Sequence, residues 1–355
     1  MKSVVIYRLG SLGDTIVALP CFHQIARSYP DARRILLTNV PVSTKAAPVE
    51  AVLRGTGIID GVIAYPLSLR SPATLLGLWR ELRGSGADTL VYLAEKRGLL
   101  TAWRDWLFFR ACGFRRVVGV PLTPDLQANR VHPQTGELEP EHERLARTLA
   151  PLGTIDFEAS ASWDLRLTAA ETSRGEEAVA GFAGAPFLAI NMGGKVAQKD
   201  WGLRNWRDAL EALGSRYPGL GLLVVGAAED SERARHVIAT WPGTGLDRCG
   251  QLSVRETAAA LQHAAAFIGH DSGPLHLAAS RGVRCVGLFG SYNRPRQWHP
   301  FGTGHHILHR IEGVEAISVT EVVEAASDVL GDLAVTMRQA RRGEAPEGAV
   351  QGAYE

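Results

Sequence analysis

The sequence predicts an α/β protein built from two halves, each alternating β-strands with α-helices. Three observations carry this. Short apolar runs such as 3–7 and 187–191 are followed by glycine-bearing turns and then by stretches with apolar residues at helical spacing. The alternation recurs along most of the 355 residues, which implies a parallel sheet with helices on both faces in each half. A chain of this length also exceeds what one hydrophobic core usually holds. Two domains are therefore expected, over 1–160 and 161–335, with a polar, disordered tail at 336–355.

In the first half the strands fall at 3–7, 34–38, 58–65, 89–93 and 116–120. Helices follow the first strand (Ile16, Leu19, Phe22 and Ile25) and occupy 42–53, 73–82 and 99–111. A stretch rich in Pro, Asn, Gln and Gly at 121–140 reads as a long loop, and long loops in compact domains are often functional. A helix at 141–149 and a passage at 151–163 lead into the second half. There a helix at 169–182 precedes the strand at 187–191, a helix at 206–217, a strand at 221–226 and a helix at 231–240. A helix at 253–264 opens on Ser253 with Glu256 three residues on, the capping-box spacing. Apolar strands at 264–268 and 283–288 flank a turn and helix, and a helix at 320–333 closes the chain.

Composition removes several function classes. The net charge of +1 gives no global field for nucleic acid. Cys21, Cys112, Cys249 and Cys285 are scattered without a CxxC pair, as buried thiols of a reducing compartment would be. The N-terminus enters a strand at once and lacks the pattern of a signal peptide. No apolar run approaches the ~20 residues that cross a bilayer. A cytoplasmic protein is expected, with any membrane contact peripheral, at the inner face of the membrane.

Two turns carry the chemistry. Gly269-His270-Asp271-Ser272-Gly273-Pro274-Leu275-His276 lies between a buried strand and a helix. Asp271 or Ser272 is placed to cap that helix, and the remaining N–H groups at its positive end suit a phosphate. Arg8-Leu9-Gly10-Ser11-Leu12-Gly13-Asp14 is neither a Walker loop nor GxGxxG. It puts one carboxylate, Asp14, in the first turn of a helix, where on its own the simplest role is to complement the helix dipole. The helix at 99–111 sets Trp103, Trp106, Phe108 and Phe109 among Arg97, Arg104 and Arg110. That composition suits a membrane surface or an anionic acceptor. A helix packed on its sheet with arginines snorkelling at the rim is the simpler account.

Three blocks in order resemble glycosyltransferase family 9, whose best-known members are the ADP-heptose:lipopolysaccharide heptosyltransferases. They are Val5 to Pro20, with its Leu-Gly-Ser-Leu-Gly-Asp-Thr; Gly193-Gly194-Lys195 with Lys199-Asp200-Trp201; and Asp271-Ser272-Gly273-Pro274-Leu275-His276-Leu277-Ala278-Ala279 with Gly287-Leu288-Phe289-Gly290. The resemblance implies a GT-B architecture, two Rossmann-like domains facing across a cleft. The C-terminal domain would bind a nucleotide sugar, with ADP favoured, and the N-terminal domain a glycan or glycolipid acceptor. It implies inversion at the anomeric carbon with no catalytic metal and no cofactor. Asp14 takes the place of the catalytic base, its ionisation at neutral pH following from an exposed helix start. Gly193, Gly194, Lys195, Lys199, Glu229, Asp271, Ser272, Gly273 and His276 fall on the donor side. Lys199 would meet the diphosphate, and Glu229, or else Asp230 or Glu232, the ribose. Gly13 and Arg97 fall on the acceptor side. Lys195 departs from the small or hydroxyl residue often found near its position. A non-catalytic nucleotide-sugar-binding protein and a non-hydrolysing sugar epimerase share this architecture, and the Leu-Gly-Asp turn fits the epimerase poorly.

Overall fold

The computed structural model describes residues 2–40, 47–66, 71–194 and 196–331. The start of the helix expected at 42–53, Lys195 and the tail at 336–355 fall outside these residues. Two wholly parallel sheets organise the chain. The first has strands β1 (Ser3–Tyr7), β2 (Arg33–Asn39), β3 (Gly61–Tyr65), β4 (Thr89–Tyr92) and β5 (Arg116–Val118), in the order β3-β2-β1-β4-β5. The second has β6 (Phe187–Asn191), β7 (Gly221–Val224), β8 (Gly245–Asp247), β9 (Ala266–His270), β10 (Cys285–Phe289) and β11 (His306–His309), in the order β11-β10-β9-β6-β7-β8. In each sheet the chain starts at the centre, builds to one side, and then crosses to the other. The crossings leave gaps between the connections at β1/β4 and at β6/β9, and ligands of open α/β sheets settle at such points.

Helices α1 (Leu12–Val17), α2 (Leu19–Ser28), α3 (Val49–Leu53), α4 (Pro72–Gly84), α5 (Leu99–Ala111), α6 (Pro124–Gln127) and α7 (Glu141–Thr148) belong to the first half. Helices α8 (Ala169–Val179), α9 (Leu203–Arg216), α10 (Ser231–Ile238), α11 (Val254–Leu261), α12 (Gly273–Ser280) and α13 (Val319–Leu330) belong to the second. The outer face of the first sheet packs on α4 and α5 through Tyr7, Leu37, Leu78, Leu82, Tyr92 and Phe109. The outer face of the second packs on α9, α10 and α13 around Trp201 and Trp206, which meet edge to face at 5.4 Å. The two inner faces share one continuous core in which Ile16, Phe22 and Val52 join Phe187, Ala258 and Leu275.

The helix expected from residue 42 is helical over Val49–Leu53 among the described residues. The strand expected from 58 starts at Gly61, because Thr56 caps Leu53 and receives the Ile58 N–H in a turn that must finish first. Strands β8 and β11 show no apolar run in the sequence, since both are short edge strands with only partly covered side chains. The stretch at 121–140 is more ordered than a bare loop. It holds α6 and an antiparallel bridge between Val131 and Leu138. It is pinned by Arg147, whose guanidinium bonds Asp125 and Glu139. It also reaches the second half, where Gln297 donates to Asn129 (3.0 Å) and Arg296 to Glu137 (2.7 Å).

A second tie between the halves is Arg255 on α11, only 4% exposed. Its guanidinium donates to the carbonyls of Val52 (3.1 Å), Leu165 (2.8 Å) and Arg166 (2.9 Å) and to the Glu171 carboxylate (2.6 and 2.8 Å). Arg255→Ala removes the cation from these acceptors, leaving Glu171 only its bonds from Thr168, and is expected to destabilise the protein by ~3–5 kcal/mol, read by urea unfolding. The Arg255 bond is the chief cause that lowers Glu171 from 4.5 to about 2. The stability from this pair is therefore complete above about pH 4.5 and is lost as pH falls toward 2. The same titration on Arg255→Ala should show that acid-sensitive part reduced.

Candidate active site

The β1/β4 crossing carries the first half of the site. After β1, Gly10 takes a φ of +118°, and a side chain there would strike the Asp14 carboxylate at 2.6–2.8 Å. Glycine is thus required for the turn to fold back on the helix start. Asp14 Oδ2 accepts from the Ser11 N–H (2.7 Å) and hydroxyl (2.9 Å). Arg8 is fully buried beneath. It donates to the Leu93 carbonyl (2.8 Å) after β4 and to the Asp14 carbonyl. Asp14 is not the exposed helix-start residue expected from sequence. It is partly buried, and burial alone would raise its carboxyl. The Arg8 charge, a hydrogen bond with Glu95 and the two Ser11 bonds outweigh burial and hold it below its ordinary value.

The β6/β9 crossing carries the second half. Asn191 closes β6, donates to the Val225 carbonyl (2.8 Å) and accepts from the Ser272 hydroxyl (3.2 Å). Asp271 follows β9. Neither Asp271 nor Ser272 caps α12 with its side chain, contrary to expectation. Ser272 is engaged by Asn191. The Asp271 carboxylate is drawn instead to Lys199 (Nζ–Oδ2 2.8 Å) and to the Asn293 amide. Lys199 Nζ also donates to the Asp271 carbonyl (3.1 Å) and lies 4.3 Å from the Tyr292 ring centroid. Two residues further on, the Trp201 N–H donates to His270 Nε2 (3.1 Å) and its indole N–H to the Ile317 carbonyl (2.8 Å). His270 is fully buried, and burial lowers it to about 4, so it remains a neutral acceptor. The segment carrying Lys199 is thereby clamped to the strand carrying Asp271.

The two crossings face each other, and two adjoining cavities lie between them. One, of about 220 Å³, is bounded by Asn191, Gly193, Gly194, Gly226, Glu229 and Thr257, and by Leu12 of the first half. Gly193 and Gly226 make its floor, where any Cβ would meet the Asp230 carboxylate at 2.3–2.5 Å. The other, of about 320 Å³, is lined by Asp14, Glu95, Lys199, Asp271, His276 and Tyr292, with Gly13, Asn293 and Trp298. Ser11, Ser272 and Gly273 border both. Helices α1 and α12 pack along each other there, with their N-terminal turns side by side. A Cβ on Gly13 would rest in ordinary van der Waals contact with His276 (3.4 Å) and Gly273 (3.5 Å), whereas a Cβ on Gly273 would collide with the Leu12 side chain at 2.6–2.8 Å. His276 is buried, and burial lowers it to about 4, so it offers a neutral ring rather than a cation.

The structure therefore gathers Asp14, Gly13, Gly193, Gly194, Lys199, Glu229, Asp271, Ser272, Gly273 and His276 around one pair of cavities. Arg97 stands apart. It donates to the Tyr7 hydroxyl (3.1 Å) and to Asp105 (3.2 Å) in a third cavity of about 480 Å³ between α4 and α5, lined also by Asn39, Tyr65, Arg104 and Phe108. Sequence reasoning missed Glu95, Arg8, Asn191, His270, Tyr292 and Asn293. The alternation of β4 ended in a lone carboxylate at 95, and only the strand order brings it beside Asp14.

Two parallel-sheet α/β domains whose crossing points face across a cleft define the GT-B class. The sequence model of glycosyltransferase family 9 (heptosyltransferase) matches residues 125–320, more than half of the chain, and the protein belongs to that family and is a glycosyltransferase. It is 25% identical over 309 residues to lipopolysaccharide heptosyltransferase 3 of Escherichia coli strain K12, covering 81% of this chain and 82% of the relative. A glycosyltransferase family 9 structure from Veillonella parvula superposes with a TM-score of 0.70 at 19% identity, covering 93% of this chain and 97% of that one. The E. coli heptosyltransferase WaaC, solved with ADP-2-deoxy-2-fluoro heptose, gives 0.63 at 13% identity, covering 92% and 99%.

Proposed function

We propose that the protein transfers heptose from ADP-heptose onto a hydroxyl of a cell-envelope glycan such as lipopolysaccharide core, with inversion and without a catalytic metal. The observation that carries this reading is that Asp14 from one sheet and Lys199, Asp271 and Ser272 from the other line a single cavity. The smaller cavity, with its glycine floor and the Glu229 carboxylate, suits the nucleoside, and Glu229 the ribose. The diphosphate then lies where both cavities meet. There the N–H groups of α12, the Ser272 hydroxyl and the Lys199 ammonium converge. As the sugar departs, charge grows on the diphosphate, and these fixed donors offset it in place of a metal. Asp14 takes the acceptor's proton. The WaaC complex, carrying an ADP-heptose analogue in a protein of the same fold, favours the adenine base.

The test is transfer itself. Incubation with ADP-heptose and heptose-truncated lipopolysaccharide should release ADP and extend the acceptor by one heptose. ADP, and not UDP or GDP, should raise the melting temperature. Stabilisation by another nucleotide alone would overturn the donor, and ADP binding without transfer would overturn this donor–acceptor pair.

The acceptor side also points to a membrane. Among the described residues no helix is long and apolar enough to cross a bilayer. Helix α5, however, buries only Ala102, Asp105 and Phe109 and turns Leu100 (89% exposed), Trp103 (46%) and Leu107 (59%) outward. Lys96, Arg97, Arg104 and Arg110 on and beside this helix are exposed, and Arg97 and Arg104 also line the third cavity. Helix α5 does pack on its sheet, through Ala102, Trp106, Phe108 and Phe109, and Leu100, Trp103 and Leu107 form a separate outer face. The arrangement suits peripheral contact with anionic lipid on the cytoplasmic side. Replacing Leu100, Trp103 and Leu107 together by Ser removes ~1.5–3 kcal/mol per buried side chain and should lower sedimentation with phosphatidylglycerol vesicles at least tenfold. Equal sedimentation of wild type and variant would rule this face out.

A further inference from the structure

The Asp14 assignment leaves a difficulty. A general base works best when its pKa lies near the working pH, yet Arg8 and Ser11 hold Asp14 below the ordinary carboxylate range. A second carboxyl answers it. Glu95 follows β4, and β4 is the strand paired with β1 across the crossing, with Tyr7 opposite Tyr92. Past the strand ends the two segments are stapled twice. The Leu93 N–H donates to the Tyr7 carbonyl (2.8 Å), and the Arg8 guanidinium reaches back to the Leu93 carbonyl (2.8 Å). These bonds set the Glu95 carboxyl against that of Asp14, in the wall of the same cavity as Lys199 and Asp271.

We propose that Glu95 and Asp14 form a proton-sharing pair in which Asp14 receives the acceptor's proton and Glu95 draws it away. The proposal rests on the glycosyl-transfer reading above. The acceptor oxygen forms its bond to the anomeric carbon, and the bond from that carbon to the diphosphate oxygen breaks with its electron pair on the diphosphate. The hydroxyl proton passes to Asp14 and then to Glu95, which releases it to solvent. The pair must therefore begin the step fully ionised. Burial, and then the bond to Asp14 and its charge, raise Glu95 to about 7. Glu141 raises it further and Arg8 opposes. Around it stand Arg144, which is ion-paired to Glu141 (2.5 Å), and Lys199, Asp271 and the neutral His276 of the cavity. Below about pH 7 the pair thus holds one proton, on Glu95. Glu95 is a positioning and proton-accepting residue, and Asp14 is the group that meets the acceptor.

Two measurements test the pair on the full chain. Infrared pH-difference spectra should show a protonated carboxyl that titrates near pH 7. It should be absent in Glu95→Gln and titrate lower in Asp14→Asn. A band unchanged in Glu95→Gln overturns the proposal. In transfer from ADP-heptose to truncated lipopolysaccharide, kcat of the wild type should rise with pH through about 7. Glu95→Gln should lose this limb and at least tenfold in kcat at pH 8, with the donor KM unchanged and Glu95→Asp partly restoring both. An identical limb in Glu95→Gln overturns it, as does full activity of Asp14→Asn, which would make Glu95 the base. ADP binding by calorimetry shows that each variant is folded. If the wild type transfers nothing from ADP-heptose, the function reading fails while the infrared result still decides whether the pair exists.

Discussion

Asp14→Asn is expected to lower kcat for transfer by about 10²–10⁴, the range that a positioned general base supplies. The amide keeps the size of the carboxylate and can still accept from the Ser11 N–H and hydroxyl, so the turn between β1 and α1 retains its shape. What is lost is the site for the acceptor's proton. Affinity for ADP should stay near that of the wild type, because the groups placed around the diphosphate come from the other sheet. Single-turnover rates and calorimetry with ADP separate the two effects. A variant that transfers at the wild-type rate removes Asp14 from the chemistry. A variant that loses ADP binding makes it a structural residue of the turn.

Lys199→Ala is expected to weaken ADP by ~1.5–3 kcal/mol, about 10- to 150-fold in Kd, as for a hydrogen bond to a charged group. Lys199 is already paired with Asp271 at 2.8 Å. The diphosphate therefore meets an ammonium that is partly neutralised but already held in position. Removing the lysine also leaves the Asp271 carboxylate, 7% exposed, without its cation and close to the incoming negative charge. The penalty should be larger for ADP than for AMP and absent for adenosine. An equal loss for all three would place Lys199 at the nucleoside instead. Lys199→Arg should recover part of the ADP affinity, limited by the bulk of a guanidinium beside Tyr292.

Much of the fold is legible in the sequence because buried parallel strands are nearly continuous apolar runs. β1, β6 and α5 lie where their patterns place them. What escaped is partner-dependent. β8 and β11 are short edge strands whose side chains are only partly covered, so their composition carries little apolar signal. The candidate site divides the same way. The turns with Gly10, Gly13, Asp14 and Asp271 are visible locally in the sequence, whereas the roles of Asp14 and Lys199 follow only from the family resemblance. Glu95 and Arg8 matter through the β1–β4 pairing, which joins positions more than eighty residues apart. The capping role expected of Asp271 failed for a related reason. Lys199 is 72 residues away in sequence, yet its ammonium competes for the same carboxylate and prevails over the helix N–H groups.

The close approach of Leu12 to Gly273 bears on how reproducibly this enzyme can align its reactants. There the Leu12 side chain lies against the Gly273 backbone with no space for a Cβ between them. Asp14 lies two residues beyond Leu12 and Ser272 adjoins Gly273, so this contact sets the spacing of the two sheets beside the lining of the cavity. A side chain as small as alanine at 273 would act as a shim against Leu12, and its thickness would be passed directly to the gap between proton acceptor and donor sugar.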